Sequence, residues 1–278
     1  DWNSLQIIDV SDPASPVRAG SFSTPPYFRD VAVSAQYAYL GSSSNGLEVI
    51  NVADPTRPAY AGSYPINVNG ITVSGQYAYI AGSAAGLQIY DVTNPAGLTL
   101  VGSYDSPGSA AGVAVSGGYA YIADGASGLQ VVDISDPANP MLVGTYDTPG
   151  NAYNVTVSGN HVRIADGYQG LQIIDISNPA APVLAGSYDT PGSVWDVAVS
   201  GGFTYIADYY SFPDGALRIV SGVSGLPHFP LAAGNLAPGE SYPFTMRYRV
   251  PQGVASFRTQ FNGRADTVCG NSYTYGTD

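Results

Sequence analysis

Three aspartates recur at one place in a repeated sequence: Asp124, Asp166 and Asp208, each 42 residues from the next. A second trio, Asp105, Asp147 and Asp189, keeps the same interval. If neighbouring repeats fold alike, these carboxylates gather on one face. A hard cation such as calcium prefers several oxygen ligands, so calcium is the ion this chemistry points to. The competing reading is that each aspartate caps its own turn, because the short side chain bonds nearby backbone amides. No EF-hand or RTX-like loop accompanies them. Paired carboxylates also serve glycosidases and lyases, but 19 aspartates make accidental pairs common.

A different position suggests recognition. Two residues before a recurring Val or Ile stand Arg29, Asn69, Ala111, Tyr153 and Trp195, while the flanking residues hardly change. Variation at one place on a constant scaffold marks a binding surface. Tyr153 and Trp195 there are suited to stacking on a sugar or anchoring a protein partner; rim packing is the plainer alternative. The enzyme case is thin. His161 occupies a slot held elsewhere by Tyr37, Tyr77, Tyr119 and Phe203, and His228 lies in a worn repeat. No nucleophile elbow, phosphate loop or zinc spacing is present. Asn154 heads a sequon that opens a strand, where burial disfavours glycosylation.

The elements that must position these residues come from the repeat. Leu5, Leu47, Leu87, Leu129 and Leu171 each begin a copy of L-Q-I-I-D or its variant, at intervals of 42, 40, 42 and 42. One module, residues 170–208, holds four strand-like stretches: LQIID, PVLAGSY, VWDVAVS and FTYIAD. Each is rich in Val, Ile and Tyr and bounded by turn residues. Asp/Asn-Pro joins the first two, Pro-Gly precedes the third, and Ser-Gly supplies the hairpin to the fourth. Sustained helical periodicity is absent. A four-stranded unit repeated every ~42 residues is what a β-propeller blade requires.

These G-L-Q-I-I-D and Y-A-Y-I-A-D elements resemble the LVIVD repeat, a propeller repeat of extracellular proteins of bacteria and archaea. The resemblance covers roughly residues 4–234. It implies an architecture and a surface or secreted setting, and no chemistry.

With blade strands named A to D from the centre outward, residues 5–22 are a C and a D strand with no A–B hairpin before them. Five A–B hairpins follow, near Val31, Ile71, Val113, Val155 and Val197. A sixth C strand is read at 216–220 and a sixth D strand at 227–234. Six blades are therefore expected, or five if residues 5–22 complete the blade of 196–208. The expected domains are a propeller over 1–234 and a C-terminal β segment over 235–278. That segment has two alternating stretches, 242–250 and 255–265, and resembles the end of a DUF11-type Ig-like domain.

Charge divides along the same line. Residues 1–234 carry five arginines and 18 acids, whereas 235–278 carry Arg247, Arg249, Arg258 and Arg264 against three acids. Two strands alone are marginal in water, so these arginine-rich strands are expected to pair with a strand edge and to support self-assembly. A net charge of −12 disfavours nucleic acid and anionic membranes. No apolar run approaches the ~20 residues of a membrane span. Starting at Asp1 without a signal peptide, the chain reads as a mature or cropped product. Cys269 is the single cysteine, so its disulfide options lie with another chain.

The expectation is a non-enzymatic, extracellular structural or adhesive module of a cell surface or extracellular assembly. It needs no cofactor, and its partners are proteins or surface glycans. The alternatives are a carbohydrate-active hydrolase or lyase, or a calcium-dependent binding module, at the channel mouth.

Overall fold

A computed structural model describes residues 4–24, 28–42, 45–209 and 215–221. The chain divides into two compact units, Asp1–Gly222 and Val223–Asp278. The sixth D strand, His228, Cys269 and the C-terminal strands with their four arginines lie outside the described residues.

The described strands are all antiparallel. β1 (Ser4–Asp9) and β2 (Val17–Ser23) form a two-stranded sheet. Blade I then holds β3 (Asp30–Ser34), β4 (Tyr37–Ser42), β5 (Gly46–Asn51) and β6 (Ala59–Tyr64). Blade II holds β7 (Gly70–Ser74), β8 (Tyr77–Ala81), β9 (Leu87–Asp91) and β10 (Thr99–Tyr104). Blade III holds β11 (Gly112–Ser116), β12 (Tyr119–Ala123), β13 (Leu129–Asp133) and β14 (Met141–Tyr146). Blade IV holds β15 (Asn154–Ser158), β16 (His161–Ala165), β17 (Leu171–Asp175) and β18 (Val183–Tyr188). Blade V holds β19 (Ser193–Ser200), β20 (Phe203–Tyr209) and β21 (Gly215–Ser221). These are five blades built on an inner hairpin. The outer edge of β20 is taken by β21 from Phe203↔Ser221 to Tyr209↔Gly215, so β1 and β2 do not complete this blade.

The hydrophobic core is a series of seams between blades, each built by the same substitution pattern. Tyr79, Ala81, Leu87 and Ile89 of blade II pack against Ala110, Val113, Ala120, Ile122, Val132 and Ile134 of blade III. Tyr121, Ala123, Leu129 and Val131 meet the corresponding side of blade IV. The second and third strands of blades I to IV are largely covered on both faces, which explains their continuous apolar character. Leu47, Leu87, Leu129 and Leu171 are all fully buried. Burying a leucine stabilises by about 2 kcal/mol, so these four positions hold the seams.

Two repeat glycines have a steric cause. Gly170, which opens the blade IV copy, has φ +74°, and a Cβ there would lie 2.3 Å from the Tyr188 carbonyl oxygen. On the fourth strand, a Cβ on Gly144 would lie 2.2 Å from the Pro179 carbonyl oxygen of the next blade. The Asn-Pro loop is thereby seated on the preceding blade.

Candidate binding site at the channel mouth

The loops entering the inner strands and the loops between second and third strands meet on one face. Short bridges join them: Gly125 pairs with Ala152, and Gly167 with Val194. This fixes the five variable positions around one mouth. Tyr153 and Trp195 stack, with ring centroids 4.4 Å apart and planes 8° from parallel. Trp195 remains 52% exposed. Gly167 makes room for the pair, since a Cβ there would lie 3.1 Å from Tyr153 Cε2. At the other side Arg29 Nη1 donates to Asn69 Oδ1 at 3.3 Å, and Asn69 Nδ2 donates to the Ala110 carbonyl at 3.1 Å. The sequence-predicted binding residues Arg29, Asn69, Tyr153 and Trp195 thus form two couples, one aromatic and one polar.

Sequence reasoning missed the ring one residue further in: Asp30, Gly70, Gly112, Asn154 and Asp196. Asn154 Nδ2 donates to Asp196 Oδ1 at 2.5 Å, and the Ile71 amide donates to Asp30 Oδ2 at 2.8 Å. Gly112 is required beside them, because a Cβ would sit 2.8 Å from Asn154 Oδ1. Burial raises the pKa of Asp30, and the Asp196 carboxylate adds to the rise. The signal was available, since this position varies as its neighbour does. Tyr168, 78% exposed, also went unread; it follows Gly167 on the same rim.

Asp124, Asp166 and Asp208 are not brought together. Asp124 is buried, with Oδ1 accepting from Ser106 Oγ at 2.6 Å and Oδ2 from the Gly108 amide at 2.8 Å. Asp166 repeats this with Thr148 Oγ1 at 2.7 Å and the Gly150 amide at 3.0 Å. Each carboxylate therefore fastens the loop that enters its own blade. Burial is the largest influence on both and raises their pKa values. Asp208 instead pairs with Arg218, and its Oδ1 is buried without a partner. Among the described residues no group of three or more His, Cys, Asp or Glu is placed to hold a metal ion.

The LVIVD repeat matches residues 1–24, 27–65, 67–106, 107–148, 149–190 and 191–220. The chain belongs to the LVIVD-repeat family. No curated protein matches its sequence. Among solved structures it is similar to the computationally designed Ika8 protein, at 10% identity and TM-score 0.57, over 73% of this chain and 61% of that one. It is also similar to the Cps50 (Swd1) β-propeller domain of Myceliophteria thermophila, at 13% identity and TM-score 0.56, over 74% and 76%. A chain of the mitotic checkpoint complex aligns at 14% identity and TM-score 0.61, over 74% and 66%. The chain thus spans about three fifths of the designed protein and two thirds of the checkpoint chain. At these identities the likeness is one of fold.

Within this LVIVD propeller, blade IV departs from its siblings away from the mouth. Tyr39, Tyr79, Tyr121 and Tyr205 occupy one position in the second strand, and Arg163 replaces them. Its guanidinium is buried, with Nε and Nη1 lacking hydrogen-bond partners. Burial lowers its pKa. His161 takes the aromatic slot foreseen for it, half-buried at the start of β16. No helix among the described residues is long and apolar enough to cross a membrane.

Proposed function

We propose that this LVIVD propeller is an extracellular, non-catalytic binding module of a cell surface or extracellular assembly, and that it captures its partner at the channel mouth. The observation that carries the reading is the Tyr153–Trp195 stack, which keeps a large aromatic face open to solvent. Aromatic side chains give contact area at low cost in side-chain entropy and dominate interface energetics. Asn154 and Asp196 supply hydrogen-bonding groups next in sequence to the two rings, and the Arg29–Asn69 couple supplies others across the mouth. An apolar platform edged by polar groups suits a surface glycan or a protein loop.

The test is the double variant Tyr153→Ala/Trp195→Ala, compared with the parent on glycan arrays and on outer-surface protein fractions. With its melting temperature retained, the variant should lose at least about tenfold in affinity, the scale of an interface hot spot. Full retention of binding would remove the mouth from the account. Self-assembly through residues 235–278 belongs to the same proposal, supported by the four arginines of that stretch and the acidic balance of residues 1–234. Deleting 235–278 should leave soluble monomers in scattering; unchanged assembly would refute that part.

A further inference from the structure

The seam between blades IV and V differs from its siblings in what fills its middle. Tyr39 and Ala78 share the core between blades I and II, and Tyr79 and Ala120 that between II and III. Tyr121 and Val162 share the core between III and IV. The same two repeat positions between blades IV and V hold Arg163 and Thr204. Both face that seam, because side chains two apart on a strand share a face. Ala165, two beyond Arg163, and Ile206, two beyond Thr204, pack in one cluster with Leu171, Ile173 and Val197. A cation and a hydroxyl therefore stand where the sibling seams set a phenol ring against an apolar side chain.

The cation has no counter-charge from the described residues. Arg163 is 8% exposed, and its Nε and Nη1 lack hydrogen-bond partners; Thr204 is buried as well. Among the described residues the one ion pair is Arg218 with Asp208. Asp175, on the same face of blade IV as Arg163, is committed to its own turn, with Oδ1 accepting from the Ser177 amide at 2.7 Å. Burial lowers the pKa of Arg163 with no carboxylate offsetting the shift, yet a guanidinium keeps its proton. Water at this place would satisfy donors and leave the charge uncompensated. A small anion answers both needs, and a buried charge is tolerated where it is paired and hydrogen-bonded. The walls limit its size, since Ile173 and Val197 are buried too. A strongly hydrated anion would give up too much solvation to enter, whereas the guanidinium is itself weakly hydrated.

We propose that the seam between blades IV and V is a site for one small, weakly hydrated inorganic anion of the halide or nitrate class, held by the Arg163 guanidinium and the Thr204 hydroxyl. The anion fastens blade IV to blade V and acts independently of the mouth.

The test is urea unfolding of the full chain in sodium fluoride, with bromide or nitrate replacing fluoride at constant ionic strength. Because the ion binds the folded chain alone, the unfolding constant should fall about tenfold, and saturably, by about nine times the dissociation constant. Arg163→Tyr restores the residue of the other four blades and should lose this saturable response. Thr204→Ala, which restores the residue of blades I to III, should keep the response and need several times more bromide. Crystals grown in sodium bromide should show an anomalous peak within hydrogen-bond distance of the Arg163 guanidinium. The same response in the parent and Arg163→Tyr, a response in which fluoride stabilises most, or water alone at the guanidinium in bromide overturns the proposal.

Discussion

At the scale of single residues, the repeat supplies its own controls, because each departure stands beside four siblings. Arg163 stands where four blades have tyrosine and leaves two buried donors unpaired. An unmet buried donor costs about 1–3 kcal/mol, so Arg163→Tyr should raise stability by about that amount in urea unfolding. A loss of stability would mean the guanidinium is paired. For Asp124 the sign of the pH effect follows from burial, which raises its pKa above the ordinary 3.8. The folded state then holds a proton that the unfolded state has released, between 3.8 and the raised value. The stability of the parent relative to Asp124→Asn should therefore increase as pH falls through that window, then level off below 3.8. Melting curves from pH 7 to 3 check this, and a decrease on acidification would contradict it. The cap role was legible in the sequence. Asp124, Asp166 and Asp208 occur only where Ser/Thr-Pro-Gly precedes the inner strand, at 106–108, 148–150 and 190–192, whereas Gly41 and Gly82 accompany other loops. The stacking of Tyr153 on Trp195 was legible only as two large rings at one repeat position. Their contact depends on the approach of neighbouring blades, which no local pattern encodes.

At the scale of elements, the period of 40 to 42 residues marks the strands because the second and third strands of blades I to IV must bury both faces. Leu129 anchors the seam between blades III and IV. Leu129→Ala should cost about 2–5 kcal/mol in chemical denaturation, in line with other buried truncations. A loss under 1 kcal/mol would place this leucine outside the core. Gly144→Ala tests a different contact, since its Cβ would collide with the Pro179 carbonyl oxygen. It should lower stability although alanine suits a strand no worse than glycine; a neutral result would mean that the Asn-Pro loop is not seated there. What sequence could not give at this scale was the partner of β20. Two candidates of similar composition competed for that edge, residues 5–10 and 216–220. The nearer one along the chain takes it, with the shorter loop to close.

At the scale of the molecule, an arc of five hairpin-based blades brings the variable loop positions to one mouth and leaves the Asp-Pro and Ser-Gly turns away from it. The acidic balance follows the repeat, because most aspartates sit in turns where they bond the amide two residues on, as Asp133 does with Ser135 at 2.8 Å. Binding at the mouth is the central claim, and hydrogen-exchange footprinting tests it most directly. The full chain is measured alone and with the glycan or surface protein that it retains best. Protection is expected in residues 147–154, 166–170 and 189–196, with the hairpin turns at 117–118, 159–160 and 201–202 unchanged. Protection confined to those turns, or to the outermost strands β6, β10, β14 and β18, would contradict the account.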